Sequence, residues 1–123
     1  MATPLNQFKT KTYTIQTKDT TDAFKARGTD VVYTVPQGVS AIILMAQISN
    51  IANDDTYTVN FVHHDVGTDT STYLVKDFGI QSFDAASPLT GKLVVQEGNQ
   101  ISIWASASGK LELTLSYLES LNG

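Results

Sequence analysis

From residue 31 to residue 117, short stretches of alternating apolar and polar residues are separated by turns rich in Gly, Pro, Asn and Asp, and this period of two predicts strands. Val31, Tyr33 and Val35 share one face of a strand that Pro36-Gln37-Gly38 ends as a tight turn. The next run, Val39 to Asn50, is the most apolar. Strict alternation there puts Ile42, Leu44, Ala46 and Ile48 on one face and Ala41, Ile43 and Met45 on the other, so half of the strand is apolar on both sides. After a turn at Asn53-Asp54-Asp55, Tyr57, Val59 and Phe61 alternate with Thr56, Thr58 and Asn60 in a half-buried strand.

Beyond the loop Val66-Gly67-Thr68-Asp69-Thr70, Thr72 to Lys76 forms a further strand. The less regular stretch from Phe78 to Pro88 is expected to be a connection whose Ile80 and Phe83 plug one end of the core. The last third supplies three strands: Lys92 to Gln96, Gln100 to Ser106 with Ile101, Ile103 and Ala105 inward, and Lys110 to Tyr117 with Leu111, Leu113, Leu115 and Tyr117 inward. Glu97-Gly98-Asn99 and Ser108-Gly109 form the turns between them.

The amino-terminal stretch is different. Lys9 to Thr17 alternates Thr and Lys around Tyr13 and Ile15, a strand with one modestly apolar face that suits an edge or an arm. Thr20 to Gly28 has the polar start and terminal glycine of one or two helical turns, with a plain loop as the alternative. The expected architecture is an all-β, antiparallel, jelly-roll-like β-sandwich of about eight short strands. It forms a single domain, with residues 1–30 as an arm and connecting segment and residues 31–123 as the sandwich.

Length agrees with one domain, since 123 residues bury roughly two thirds of their unfolded surface in one core. The formal charge of −4 is not that of a general nucleic-acid binder. Charge is also uneven: residues 1–30 carry five basic against three acidic residues, and the remainder three basic against nine acidic. A basic amino-terminal segment is therefore drawn towards the acidic body of its own or a neighbouring subunit, through an attraction that salt weakens. Without cysteine, a disulfide framework, a thiolate metal site and a thiol nucleophile are all excluded. No apolar run approaches the roughly 18 residues that span a bilayer, and no signal-like pattern precedes Lys9, so the expectation is synthesis in a cytoplasm without membrane association.

Candidate chemistry is sparse. His63-His64-Asp65 clusters metal-ligating types, but adjacent strand residues point to opposite faces, so the two histidines cannot close on one ion, and only His63 with Asp65 could contribute two ligands. Asp54, Asp55, Asp65 and Asp69 lack the spacing of a calcium loop. No Gly-x-Ser-x-Gly elbow or phosphate-cradling glycine loop is present, and in the β-body aromatics are not interleaved with basic residues. Neither cofactor nor metal is expected. The residue most in need of a role is Trp104, which alternation places outward with Ser102, Ser106 and Ser108. An aromatic among small polar residues suits a contact anchor, and with Ile43 and Met45 it suggests a sheet covered by another chain or by the arm; a local register shift would instead put Trp104 in the core.

Several segments resemble, in order and spacing, a family of small virion structural proteins of tailed bacteriophages of the marine and cyanobacterial type. They are Ala2 to Thr10, Val35-Pro36-Gln37-Gly38 with Ala41 to Ile48, His63-His64, Tyr73 to Phe78, Ala85 to Val94 and Leu113 to Leu121. The resemblance spans roughly residues 1–10 and 31–121. It departs from the family pattern between Thr17 and Asp30, which is longer here, and at His64-Asp65, where the pattern has a basic residue.

The resemblance implies a non-enzymatic head-decoration, neck or tail component in the virion, made in the cytoplasm of a bacterial host, and no catalytic residues. The expected partners are further copies of the chain, in a trimer or other ring, and the major capsid protein or other virion proteins. The expected contact residues are Thr3, Leu5, Phe8, Lys9, Lys11, Ile43, Met45 and Trp104. An alternative of another class is a carbohydrate-binding module with Trp104, Tyr57 and Tyr73 as sugar platforms; a hydrolase is the remotest reading.

Overall fold

A computed structural model describes residues 6–17 and 31–122. The expected helical turns at Thr20 to Gly28 lie outside the described residues. Nine strands follow in order: β1 (Asn6–Thr14), β2 (Val31–Thr34), β3 (Val39–Asn50), β4 (Tyr57–Asp65), β5 (Thr70–Ile80), β6 (Ala85–Ala86), β7 (Leu93–Val95), β8 (Gln100–Ala105) and β9 (Leu111–Leu121). Two antiparallel sheets pack as a sandwich. One has the order β1-β9-β3-β6, with β7 also on β3, and the other has the order β2-β8-β4-β5.

β6 pairs with Ile48 and Ser49, while β7 pairs with Ala41 to Ile43 farther along the same edge of β3. Counted as two pieces of one interrupted edge strand, they reduce the topology to eight strands in two four-stranded sheets with the jelly-roll order. The interruption explains why the sequence shows about eight strands and the structure nine.

The core lies between the sheets, with Ala41, Ile43, Ala46 and Ile48 of β3, Val59 and Phe61 of β4, Ile101 and Ile103 of β8, and Leu111, Leu113 and Leu115 of β9 all buried. On β9 simple alternation holds throughout. On β3 it does not. Ile43 opposes Tyr117 and Met45 opposes Ser116, so Leu44 is an extra residue in a bulge and the strand changes parity there. Ala41 and Ile43 face the core before the bulge, Ala46 and Ile48 after it, which is why this strand is apolar on both sides.

β5 runs through Phe78 to Ile80, where a connection was expected, because two register shifts opposite Phe61 carry it past an irregular stretch. Asp77 sits there with φ 51°, and its N–H donates to the Asn60 side chain at 3.0 Å. Ile80 plugs the core as anticipated, but Phe83 does not. It is 75% exposed and held at φ 57°, with its N–H donating to the Asn50 carbonyl at 2.9 Å.

Buried Asn50 ties this end together. Its amide nitrogen donates to the Ile80 carbonyl at 2.8 Å and the Asp55 carbonyl at 3.1 Å, while its oxygen accepts the Ala52 N–H at 2.9 Å. At the opposite end Gly38, at φ 81°, occupies the left-handed conformation that the Pro36-Gln37-Gly38 turn requires, and its N–H donates to the Glu97 carboxylate.

Candidate interaction face

The two sheets differ in what their outer faces present. On the β2-β8-β4-β5 sheet, Asn60, Val62, His64, Ser102 and Trp104 are all buried. On the five-stranded sheet the outward residues remain partly or well exposed, and their registers align them in rows. Phe8 opposes Leu118, Leu118 opposes Ile42, and Ile42 opposes Val94, so four apolar side chains from β1, β9, β3 and β7 lie side by side. Phe8 is 77% and Val94 60% exposed, with Leu118 and Ile42 half-buried between them.

Small polar rows flank this apolar row. Asn6, Ser120 and Ser40 lie on one side; Thr10 with Ser116 and Met45, then Thr12 with Thr114 and Gln47, lie on the other. The last row holds Thr14, Glu112 and Ser49. Among the described strand positions of this face Glu112 is the sole charge. Depletion of charge around a central apolar cluster is the compositional mark of a protein-binding surface.

The anticipated contact residues divide. Phe8 lies on this face, as does Met45, 38% exposed beside the β3 bulge. Lys9 and Lys11 oppose Tyr117 and Leu115, whose side chains point inward, so both lysines belong to the other side of β1. Ile43 is corrected: it is fully buried, because it precedes the bulge and faces the core. Trp104 is also corrected. It does point away from the main core, but it is 9% exposed, packed with Val62 and edge-on to Tyr73 at 5.9 Å between ring centroids. Thr3 and Leu5 lie outside the described residues.

Leu118, Ile42 and Val94 were not anticipated in this role. Leu118 had a readable signal, since it interrupts the otherwise polar outward series Glu112, Thr114, Ser116 and Ser120. Ile42 had none, because the unrecognised bulge hid its direction.

Lys9 makes a specific contact on the inward side. Its Nζ lies 2.6 Å from Oε1 of Glu119, a carboxylate on the core-facing side of β9, and Tyr33 Oη donates to Oε2 at 2.5 Å. Burial pushes the Glu119 carboxyl up, but the bonds from Lys9 and Tyr33 and the Lys9 charge outweigh it and hold it below its ordinary value. Burial, followed by the bond to Glu119, holds the Tyr33 hydroxyl far above its ordinary value. The Tyr33 ring packs on Tyr117 at 4.5 Å. This cluster fastens β1 and β2 to β9; of the basic amino-terminal residues, Lys9 is paired with the acidic body within one chain, while Lys18, Lys25 and Arg27 lie outside the described residues.

The histidine pair divides as strand geometry requires. His64 is buried, with Nδ1 2.8 Å from Ser71 Oγ and Nε2 3.4 Å from Asp69 Oδ1, the latter without hydrogen-bond geometry. This brings together a serine, a histidine and an aspartate that the sequence had not joined. Their proximity follows from the β4–β5 hairpin, in which His64 and Ser71 are direct cross-strand partners. Asp65 closes the same hairpin by accepting the N–H groups of Gly67 at 3.0 Å and Thr68 at 3.3 Å. Among the described residues no three of His, Cys, Asp and Glu converge as metal ligands.

Comparison with known protein families, with curated proteins and with solved structures found no match to this chain.

Proposed function

We propose that the chain is a non-enzymatic structural protein of a tailed-bacteriophage virion, a decoration or cement protein of the capsid exterior that acts by burying surface against its neighbours. The observation that carries this reading is the broad outer face of the five-stranded sheet, with its apolar row and, among the described strand positions, a single charge. Such a face suits a protein whose work is contact, because apolar burial repeated over many copies accumulates without chemistry. The resemblance of the sequence to small virion proteins supplies the setting. The jelly roll is compatible with it but does not choose it, since the same architecture serves capsids and lectins.

A neck, tail or fibre-attachment component is the second reading within this class, with the same face closing one ring. The sugar-binding reading loses its geometry: Trp104 is buried, and Tyr57 and Tyr73 lie on opposite faces of their sheet. The Ser71, His64 and Asp69 group favours a structural role over catalysis, because His64 is 1% exposed and has no room to meet a substrate.

Copy number tests the proposal. Quantitative mass spectrometry of purified virions is expected to find the protein in fixed proportion to the major capsid protein. An amount fit for a single ring supports the neck or tail reading, and absence from intact particles overturns both.

A further inference from the structure

We infer that the free edge of β1 accepts one added strand from a different protein, an extended segment with acidic residues beside Lys9 and Lys11 and an apolar residue beside Phe8. The inference rests on the contact reading above and names the chemistry of the partner.

Edge protection singles out β1. Among the described residues the two sheets end in four edges, and a strand edge offers unpaired N–H and C=O groups to other chains unless something blunts it. β2 is four residues long, and the edge made by β6 and β7 is broken into pieces of two and three residues. β5 is long, but its register shifts twice and Asp77 stands at φ 51° within it. β1 differs. From Asn6 to Thr14 it runs opposite β9 with no register shift, no proline and no glycine. The Phe8, Leu118, Ile42 and Val94 row also stops at this edge, and Phe8 is the most exposed large apolar side chain among the described residues. A further strand would continue that row by one side chain, at the spacing over which cross-strand pairs interact.

Charge selects the occupant. On the inward side of β1, Lys9 is shared with Glu119, and Lys11 is exposed with no ion pair among the described residues. Two β1 edges placed together would gather the two lysines of each copy on one side of the ribbon, where like charges opposite one another repel. A strand with acidic residues at alternate positions instead meets both ammonium groups. This chain cannot supply such a strand, because no two of its twelve acidic residues are separated by a single residue. The partner is therefore another protein. In antiparallel pairing its segment opposes Lys11, Thr10, Lys9 and Phe8 in turn, and so reads acidic, polar, acidic, apolar from its amino-terminal side.

Synthetic peptides test this on the full chain. Val-Thr-Glu-Thr-Glu-Val-Thr is expected to bind and to slow hydrogen exchange at alternate β1 amides, those directed to the free edge. The counterpart with lysine in place of both glutamates is expected to bind about tenfold more weakly, and added salt to narrow the difference. Lys11→Glu, at an exposed side chain, is expected to keep the fold by circular dichroism and to abolish the preference, since one basic and one acidic group then line the edge. Equal affinity of the wild type for both peptides, a preference that survives Lys11→Glu, protection at another edge, or no binding of the glutamate peptide at about 1 mM overturns the inference. These measurements use free protein and are separate from the virion: binding by a protein absent from particles refutes the functional proposal and leaves the edge intact, and a protein abundant on particles that ignores the glutamate peptide does the reverse.

Discussion

Phe61→Ala is expected to destabilise the protein by about 3–5 kcal/mol and to lower its thermal midpoint by roughly 10–20 °C. Phe61 is the largest of the fully buried side chains, and it opposes Ile103 on β8 where the register of β5 slips on either side of it. Strands on both sides therefore pack around one ring at a place where the backbone ladder is already interrupted. Removing the ring forfeits its transfer from water and leaves a cavity that the rigid β4 and β8 pair cannot close. For a chain of this length the loss is a large share of a total stability of about 6–18 kcal/mol. Phe61→Leu, which fills most of the volume, is expected to cost about 1–2 kcal/mol. Chemical denaturation of the three proteins checks the order; an alanine variant within 1 kcal/mol of wild type would refute the placement of Phe61 at the centre of the core.

The second large effect belongs to Glu119. Glu119→Ala is expected to cost about 2–3 kcal/mol, chiefly because the Tyr33 hydroxyl is left buried without its acceptor. The contribution from Lys9 is smaller, since its side chain is 42% exposed and solvent screens the pair. The interaction also has a pH signature. The folded-state carboxyl is held below its unfolded value of about 4.5, so its stabilisation is complete above that value and is lost as pH falls through the depressed folded value. At the alkaline end Tyr33 is held above its ordinary 10.0, so its contribution is complete below that value and declines as pH rises beyond it. Thermal unfolding of wild type and Glu119→Gln from pH 3 to pH 7 is expected to show a gap that is full at neutrality and narrows in acid. A gap independent of pH would mean that the carboxylate charge contributes nothing.

Particular residues show what the sequence could and could not reveal. Leu111, Leu113, Leu115 and Tyr117 announce β9 and its inner face because an unbroken strand conserves parity along its whole length. The same rule misdirects Ile43, since a bulge at Leu44 reverses parity and a strand apolar on both faces bears no mark of where this happens. Trp104 was correctly placed on the outward side of β8, but its burial depends on non-local contacts such as Tyr73, which reaches it from β5. The Lys9 and Glu119 pair joins residues 110 positions apart, so only the general attraction between a basic amino-terminal segment and an acidic body was readable. Phe83 looked like a core plug by hydropathy alone; its left-handed backbone turns it to solvent.

The candidate face was half legible for the same reason. Phe8 and Met45 were singled out as contact residues, and both lie on it. The row itself exists only once β1, β9, β3 and β7 are brought into register, because each strand contributes a single member. Adjacent strands of a jelly roll come from distant parts of the chain, so an apolar row that crosses them leaves no local periodicity to detect.

Immunogold electron microscopy of intact, purified virions, with antibody raised against this chain, tests the central claim most directly. The account predicts label spread over the head surface. Label confined to the neck or tail would contradict the decoration role, and unlabelled particles would contradict a place in the virion altogether.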